Sequence, residues 1–262
     1  MNLILLVNIF QNFYQKISNN KFCSKIYNNC CFYNLCLSTV KDAIMALSQG
    51  KFVLIHDDDS RENETDMIIA AENITPYHIA TIRNDAGGLL CLAIDGYIST
   101  KLGLSYIHDI LNCVSNDHPL FTTMTNGRAP YGDKPSFSIS VNHRDTYTGI
   151  TDYDRALTIS KLASVCKNID NGGVSEFIKS FRTPGHVSLL IAAKGLLKER
   201  FGHTELAVYL AKIAGLTPAV VICEMLDSHT FRSLSIDEAY KYAKLKDIPL
   251  LEADQLKTYS VI

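Results

Sequence analysis

The 262-residue sequence has no large excess of charge of either sign, since its formal net charge at pH 7 is −2. Such a chain lacks the broad electrostatic field that attracts nucleic acid or an anionic membrane surface. An anionic ligand would have to be held by a few local cations. The composition therefore favours a small-molecule ligand, and neither a nucleic-acid partner nor a membrane partner is expected.

The sequence also lacks a hydrophobic run long enough to cross a bilayer. Its apolar N-terminal stretch from Leu3 to Phe10 is interrupted by Asn8 and closed by Gln11 and Asn12, whereas a spanning helix needs about 18 apolar residues. No basic residue precedes the stretch and no small-residue cleavage site follows it, which argues against a secretory signal peptide. Secretion is therefore not expected.

Cysteine is too scarce for a disulfide scaffold in a chain of this length. Four cysteines are scattered singly through the main body, which favours a reducing, cytoplasmic location. The other four crowd into the first 36 residues with the spacing CX6CCX4C, which matches no strong zinc-ligand pattern. In chain order, the eight are Cys23, Cys30, Cys31, Cys36, Cys91, Cys113, Cys166 and Cys223.

The composition changes near Ser38, where a segment rich in Asn, Cys and Tyr gives way to an ordinary helix pattern. We expect residues 1–37 to be an N-terminal extension outside the core. The extension is interpreted either as an amphipathic appendage or as sequence read through upstream of the true start codon. Residues 38–262 are predicted to form a single folded domain.

Apolar periodicity in this domain predicts helices mixed with strands, without internal repeats. Strands are predicted at 52–57, 67–72, 89–94, 136–143 and 218–225. Helices are predicted at 40–47, from 75 to a stop at 87–88, at 155–167, at 203–215, and from a capping serine at 235 to 246. This pattern predicts an α+β (mixed α/β) domain, in which one mixed sheet is flanked by helices.

An acidic segment lies between the first two predicted strands. Glu62, Glu64 and Asp66 alternate there with other residues, directly after Arg61 and shortly after the aspartates at 57–59. So many like charges repel each other unless cations intervene. One interpretation is a solvated acidic loop; the other is a site at a sheet edge, where a metal or a substrate supplies positive charge. Magnesium is the usual cation for such carboxylates.

A second group of polar residues, Arg200-Phe201-Gly202-His203-Thr204-Glu205, stands where a predicted helix begins. Free backbone N–H groups at a helix N-terminus, a glycine that permits close approach, a hydroxyl and an arginine together suit a phosphate. Taken alone, the segment could be a plain helix cap. Taken with the acidic segment, it supplies the complementary half of a site for a phosphorylated sugar.

Five further positions could serve chemistry or structure. His186 follows a Pro-Gly pair that predicts a rigid turn, and could be a satisfied loop residue or a proton carrier. Glu224 ends a buried strand, where a carboxylate needs a partner or a raised pKa. Cys91 is by default a small buried apolar residue. Asp152 and Asp154 could cap the helix that follows.

Together these segments resemble the 3,4-dihydroxy-2-butanone 4-phosphate synthase family. The motifs RENETD, RTPGHV, RFGHTE and VICE resemble the family's acidic loop, histidine segment, phosphate and metal motif, and last carboxylate. With TYTGITDYDRA and DAGGLLCLAI, the similarity runs from about Val40 to Leu251. Thr65 and Thr183 are similar to the archaeal branch, whereas Phe201 stands where the common bacterial pattern has glycine. The resemblance implies a monofunctional protein, without a GTP cyclohydrolase II domain after Leu251.

The resemblance implies a lyase that converts D-ribulose 5-phosphate into L-3,4-dihydroxy-2-butanone 4-phosphate and formate, in riboflavin biosynthesis. It implies a mixed α+β fold and a homodimer with active sites at or near the subunit interface. The implied cofactor is Mg²⁺, with Mn²⁺ as a substitute and no organic cofactor.

The family's functional positions can be carried over residue by residue. The implied metal ligands are Glu62 and His203. The implied catalytic group comprises His186, Glu224, Asp66, Glu64 and Cys91. The implied substrate contacts are Arg61, Glu62, Asp66, Thr148, Arg200, Phe201, Gly202, His203 and Thr204.

Two other functions are compatible with parts of this pattern. A phosphosugar isomerase or aldolase shares the enediol chemistry, but should lack the combination of an acidic loop with a Gly-His-Thr-Glu helix start. A protein that binds a metal or a sugar phosphate without turnover is the second alternative. Retention of every implied catalytic residue argues against it.

Overall fold

The computed structural model describes residues 38–259. The predicted extension at 1–37 lies outside the described residues, as do positions 260–262. The described helices are α1 (Val40–Ser48), α2 (Pro76–Thr81), α3 (Gly96–Lys101), α4 (Ile107–Cys113), α5 (Leu120–Met124), α6 (Asp152–Lys167), α7 (Val174–Ser180), α8 (His203–Ile213), α9 (Ile236–Lys246) and α10 (Ala253–Thr258). None of them combines the length and the apolar character needed to cross a membrane.

The described strands are β1 (Val53–His56), β2 (Thr65–Ala70), β3 (Cys91–Ile94), β4 (Phe137–His143), β5 (Phe181–Ile191), β6 (Ala219–Glu224), β7 (Leu226–Asp227), β8 (Arg232–Ser233) and β9 (Leu250–Glu252). Seven of them form one mixed sheet with the order β4-β5-β3-β6-β2-β1-β9, and β7 and β8 form a separate hairpin. Strand β3 is parallel to β5 and β1 is parallel to β9, while the other pairs are antiparallel. The predicted α+β domain with a mixed sheet flanked by helices is confirmed.

Both faces of the sheet are buried, and the alternation along β2 shows how the two cores are divided. Met67 and Ile69 belong to one apolar cluster, which α2, α6 and α9 cover. Ile68 and Ala70 point the other way, into a cluster that α1, α8 and α10 cover. Alternate side chains of a strand face opposite sides of the sheet. Each fully buried Leu or Ile contributes about 1.5–3 kcal/mol, so helices on both faces stabilise the sheet strongly.

The capping residues explain where several helices start. Thr75 accepts the backbone N–H of His78 and precedes a proline at the first helical position of α2. Ser235 accepts the N–H of Glu238 at the start of α9, as the sequence predicts. The predicted helix from residue 75 ends at Gly87 as expected, although its last turn, Ile82–Ala86, is π-helical.

The predicted rigid turn before His186 is wrong, because that segment lies inside the long strand β5. Thr183 Oγ1 donates to Ser140 O of β4 at 2.8 Å, and the Gly185 N–H donates to Ser140 Oγ at 3.2 Å. The pairing of β4 with β5 shifts register here, which accommodates Pro184 within a strand. Gly185 is required by space, since a Cβ atom would lie 2.0 Å from the carbonyl carbon of Val141.

Several other boundaries differ from the prediction. Strand β2 begins at Thr65 and ends at Ala70, where the chain enters a 3-10 turn at Ala71–Asn73. Helix α6 begins at Asp152, three residues before the predicted start, because Thr151 caps it. The sequence pattern did not predict α3, α4, α5, α7, α10, β7, β8 or β9, each of which is short.

Candidate metal and anion site

The sheet register brings two of the predicted site carboxylates together. Asp66 at the start of β2 is the cross-strand partner of Glu224 at the end of β6. Two residues before Glu224 on the same strand, Ile222 is the cross-strand partner of Cys91 of β3. Side chains two residues apart on a strand share a face. Glu224, Asp66 and Cys91 therefore lie on the same face, where the inner strands β6, β2 and β3 end on one side of the sheet; we call this margin the site edge.

His186 joins this edge through the parallel pairing of β3 with β5. Cys91 is the partner of Ser188 on β5, and His186 precedes Ser188 by two residues. His186 therefore lies on the same face and in the same direction from Cys91 as Glu224. The His186 ring is exposed, and its Nδ1 lies 3.0 Å from Asn142 Nδ2 of β4. Since an amide nitrogen donates, Nδ1 is the accepting nitrogen and Nε2 carries the proton of the neutral ring.

Asn142 was not predicted as part of the site, although it holds His186 at two points. Its Oδ1 accepts the backbone N–H of His186 at 2.8 Å, in addition to the contact with the ring. Its Nδ2 also donates to the carbonyl of Thr148 at 3.5 Å, which links the exposed Thr148 loop to the histidine. The alternation in β4 alone could not reveal this role, because it depends on the shifted pairing with β5.

The first residue of α8, His203, contacts the acidic loop above the site edge. Its Nδ1 lies 3.0 Å from Glu62 Oε2, and its Nε2 lies 3.2 Å from the carbonyl oxygen of Glu64 and 3.8 Å from Asp66 Oδ1. Because a carbonyl can only accept, Nε2 carries a proton. This leaves Nδ1 as the nitrogen whose lone pair can bind a metal, with the ring oriented by the Glu64 carbonyl.

Asp57 completes a group of potential metal ligands that the sequence analysis identified only in part. Ligand atoms of Asp57, Glu62 and His203 all lie within 4.8 Å of one another. The buried Asp57 carboxylate also accepts the backbone N–H groups of Glu62 at 3.2 Å and Glu64 at 3.0 Å. Its position directly after the apolar strand β1 was the signal that could have singled it out from its neighbours Asp58 and Asp59.

The electrostatics of this group favour a cation. Burial opposes ionisation of Glu62, but the hydrogen bond and charge of His203 lower the pKa of Glu62 to about 2. Burial also opposes protonation of His203, yet the charges of the surrounding carboxylates raise its pKa to about 10. Burial, together with the neighbouring carboxylates, raises the pKa of Asp66 to about 7. The histidine thus supplies positive charge that a metal ion could supply instead.

The donor set fits a divalent cation. Two carboxylates and one imidazole are ligands that Mg²⁺ or a first-row transition metal accepts. Asp66 Oδ1 is buried and has no hydrogen-bond partner among residues 38–259, which is costly unless a cation or water satisfies it.

A candidate anion site adjoins the candidate metal ligands. A Cβ atom on Gly202, the N-cap of the 11-residue helix α8, would lie 2.8 Å from guanidinium nitrogens of both Arg61 and Arg200. Both guanidinium groups therefore lie beside Gly202 at the N-terminus of α8, where backbone N–H groups are free, and Thr204 is buried in the same turn. A side chain at position 202 would have to push both guanidinium groups aside.

Two neighbouring residues support the anion site. Arg200 Nη1 donates to the buried Glu205 carboxylate at 2.6 Å, and Glu205 in turn accepts the Ala193 N–H at 2.9 Å. The half-buried Phe201 packs against the apolar cluster that contains α8, and Lys257 Nζ lies 5.1 Å from its ring centroid. The bulk of Phe201 is thus accommodated by the core.

Glu224, Cys91 and Glu64 are held in different ways. Glu224 Oε2 accepts the Leu89 N–H at 2.8 Å. The neighbouring Gly88 leaves room for this contact, since a Cβ atom added to it would lie 2.5 Å from Glu224 Oε2. Burial, and then the charges of Glu224 and Asp66, raises the pKa of the Cys91 thiol, so the thiol stays protonated near neutral pH. Glu64 Oε1 accepts a hydrogen bond of 2.6 Å from Ser233.

The two aspartates near the start of α6 have separate roles. Thr151 is the N-cap residue, and its side chain accepts the N–H of Asp154. The Asp154 carboxylate accepts the N–H groups of Thr148 at 3.2 Å and Gly149 at 2.8 Å, and so holds the loop that faces Asn142. Asp152 pairs with Arg83 at 3.1 Å and belongs to the surface.

The fold and the candidate site define a class of protein: a mixed α+β domain in which the acidic loop and the start of α8 join a carboxylate–imidazole group that could hold a metal to a pair of arginines that could hold an anion. A family profile described as 3,4-dihydroxy-2-butanone 4-phosphate synthase matches residues 41–259. The chain therefore belongs to the 3,4-dihydroxy-2-butanone 4-phosphate synthase family.

Individual relatives agree with this assignment. The chain is 46% identical over 217 residues to the 3,4-dihydroxy-2-butanone 4-phosphate synthase of Methanothermobacter thermautotrophicus, covering 83% of this chain and 93% of that protein. It is 34% identical over 226 residues to the riboflavin biosynthesis protein RibBA of Aquifex aeolicus, covering 85% of this chain and 48% of that protein. A crystal structure of 3,4-dihydroxy-2-butanone 4-phosphate synthase with two magnesium ions is similar at a TM-score of 0.67 and 31% identity, covering 84% and 95% of the two chains.

Proposed function

We propose that the protein is a lyase that converts D-ribulose 5-phosphate into L-3,4-dihydroxy-2-butanone 4-phosphate and formate, in riboflavin biosynthesis. The observation that supports this proposal most directly is that the Glu62–His203 pair lies beside Arg61 and Arg200 at the N-terminus of α8. A phosphorylated sugar with adjacent hydroxyl and carbonyl groups needs both halves of such a site. The relative named for riboflavin biosynthesis supports the pathway.

The anion half would hold the substrate phosphate. Arg61 and Arg200 offer guanidinium donors, and the first turn of α8 offers backbone N–H groups and the Thr204 hydroxyl. Glu205 fixes one of the guanidinium groups through its bond of 2.6 Å to Arg200. Binding energy at the phosphate would orient the reacting carbons toward the site edge.

Glu62 and His203 would hold Mg²⁺, with Asp57 as a further carboxylate within reach. When bound, the metal supplies Lewis-acid polarisation of substrate oxygens. The similar structure with two magnesium ions supports this choice of cation. We extend the proposal to Mn²⁺ as a substitute, because the same ligand types accept it.

The remaining polar groups of the edge would move protons. A ketose phosphate has an acidic proton next to its carbonyl. The reaction then loses the C1 hydroxyl as water, shifts the carbon skeleton, adds a water at C4 and releases C4 as formate, so that no water is gained or lost overall. Asp66, with its pKa raised to about 7, can accept or donate a proton near neutral pH. Exposed His186, held by Asn142, and Glu224, held by Leu89 N–H, border the same edge.

The partner proposed for this chain is a second copy of itself. Large apolar side chains are exposed around the site edge: Tyr147 at 93%, Tyr153 at 70%, and Leu89 and Ile150 each at 52%. Tyr147 and Ile150 flank the Thr148 loop, and Leu89 donates to Glu224. Apolar side chains left exposed beside a site are often covered by a partner. We also propose a cytoplasmic location, which the four free cysteines of the described residues support.

The decisive experiment is to incubate the purified protein with ribulose 5-phosphate and Mg²⁺ and to measure formate. Formate should appear in amounts equal to the four-carbon phosphate product. An isomerase would give an aldose phosphate and an aldolase would give shorter sugar fragments, in both cases without formate. A binding protein without turnover would leave the substrate unchanged. Sugar products without formate, or unchanged substrate, would exclude the proposed reaction.

A further inference from the structure

Asp133 bridges the two arginines of the anion site. Its Oδ2 lies 2.9 Å from Arg61 Nη2 and 3.3 Å from Arg61 Nε, and it lies 3.3 Å from Arg200 Nε. Asp133 belongs to neither motif, since it is 72 residues from Arg61 along the chain. A carboxylate of the protein therefore stands between the same two guanidinium groups that flank the N-terminus of α8.

The segment that carries Asp133 is built to reach this position. Its backbone forms a tight turn in which the Ala129 N–H donates to Asp133 O at 2.9 Å and the Gly132 N–H donates to Ala129 O at 2.8 Å. Tyr131 on the same turn hydrogen-bonds to Glu62, and Arg61 lies 4.9 Å from its ring centroid. The turn thus contacts the metal half and the anion half of the site at once.

Charge makes this contact incompatible with a bound phosphate in the same place. Arg61 already pairs with Asp57 and Glu62, and Arg200 already pairs with Glu205. A phosphate between the arginines would face the Asp133 carboxylate at close range, where like charges repel strongly. The Asp133 side chain is 35% exposed, so it can turn into solvent without opening the core.

We propose that Asp133 is an internal competitor for the anion site, which a ligand must displace, and that it selects doubly charged phosphate over singly charged anions. The identification of this site as the phosphate site rests on the proposed function. A carboxylate presents one negative charge, whereas a phosphate monoester presents nearly two and has three oxygens for the arginines and the helix N–H groups. The dianion displaces Asp133, and a monoanion such as acetate does not.

The test is a calorimetric titration of the protein with inorganic phosphate and, separately, with acetate. Asp133→Asn removes the competing charge and keeps the shape of the side chain. The dissociation constant for phosphate should fall about tenfold, because the site is no longer occupied by its own carboxylate. Acetate, which binds the unaltered protein negligibly, should bind measurably to the variant.

Two further variants make the result specific. Asp133→Glu keeps a carboxylate on the same turn and should retain weak phosphate binding. Asp117→Asn makes the same change of charge at an exposed residue of the segment between α4 and α5, and should leave both titrations unchanged. If Asp133→Asn binds phosphate with unchanged or lower affinity, then Asp133 positions the arginines and the proposal is overturned.

The outcome is separable from that of the proposed reaction. Phosphate binding is measured without substrate, and circular dichroism with thermal unfolding shows that the variant retains the fold. If the unaltered protein releases no formate while Asp133→Asn gains affinity for phosphate, the proposed reaction fails and the role of Asp133 stands. If formate is released but Asp133→Asn gains no affinity, the reaction stands and the role of Asp133 fails.

Discussion

At the scale of single residues, the site is organised by His203. One ring nitrogen contacts the Glu64 carbonyl and the other contacts Glu62, so that one histidine ties the acidic loop to the start of α8. A buried carboxylate cluster is costly unless positive charge compensates it. In the absence of metal, the protonated histidine provides this compensation.

We predict that Glu62→Gln and His203→Ala each reduce formate release by more than about 100-fold, since loss of even an outer-shell metal contact costs 10–100-fold. Both variants should also lose Mg²⁺ binding in a titration. His186→Ala should reduce turnover severely while Mg²⁺ binding stays nearly unchanged, because His186 contacts Asn142 and not the metal ligands. Glu176→Gln, at an exposed position of α7, is the control and should behave like the unaltered protein. Normal turnover of Glu62→Gln at limiting Mg²⁺ would refute the metal assignment.

Metal binding should release a proton. The pKa of His203 is raised to about 10, so the ring is protonated at pH 7 without metal, whereas metal binding requires neutral Nδ1. Mg²⁺ affinity should therefore rise with pH up to about 10, by at most about tenfold per pH unit for one proton. Calorimetry in buffers of different ionisation enthalpy measures the protons released. A pH-independent affinity between pH 7 and about 9 would contradict this prediction, and His118→Ala should leave the proton count unchanged.

At the scale of elements, the pairing of β4 with β5 positions His186, the proposed proton carrier. The two strands shift register where Pro184 and Gly185 pass Ser140, and Asn142 then contacts His186 from the neighbouring strand. A bulged pairing of this kind commonly redirects a side chain next to a site.

We predict that Gly185→Ala destabilises the protein by about 1–3 kcal/mol, because the backbone must move to accept a Cβ atom. That atom would lie 2.0 Å from the carbonyl carbon of Val141. The free energy of unfolding can be measured in urea, and formate release should fall as the strand pair that holds His186 is displaced. Gly127→Ala is the matched control, since no atom lies within 4 Å of the added Cβ atom. Equal stabilities of the two variants would count against the close approach.

The sequence predicted most of the long elements, with the exception of strand β5, and it pointed to residues in both halves of the candidate site. The reasons for its omissions are physical. Apolar runs identified most of the main strands, apolar periodicity identified α8, and capping residues identified α2 and α9. Asn142 and Asp133 were missed because their contacts depend on strand register and on a turn that returns to the site over 72 residues. The segment before His186 was misinterpreted because local turn preferences were overridden by pairing with β4.

At the scale of the whole molecule, every candidate site residue lies within residues 38–259, and residues 1–37 contribute none of them. We therefore predict that a protein beginning at Leu37 folds and turns over normally. The measurements are formate release and thermal unfolding, compared with those of the full chain. A soluble truncated protein that had lost activity would show that the extension has a function in the reaction.

The proposed homodimer gives a further prediction at this scale. Light scattering at micromolar concentration should give twice the mass of the chain, because a second copy would bury the exposed apolar side chains that include Tyr147 and Leu89. Tyr147→Glu introduces charge into this surface and should weaken the dimer. A monomer mass together with full activity would contradict the prediction.

The parallel pairing of β1 with β9 has a consequence for synthesis of the chain on the ribosome. Strand β1 leads into the acidic loop, yet its outer neighbour is made almost 200 residues later, since Leu54 pairs with Leu250. Contacts between such distant residues form slowly. Until β9 emerges, β1 is an open sheet edge whose unpaired backbone groups can bind a strand of another chain. Premature termination before Leu250 would therefore yield an aggregation-prone protein, even though the implied metal, catalytic and substrate residues would already have been made.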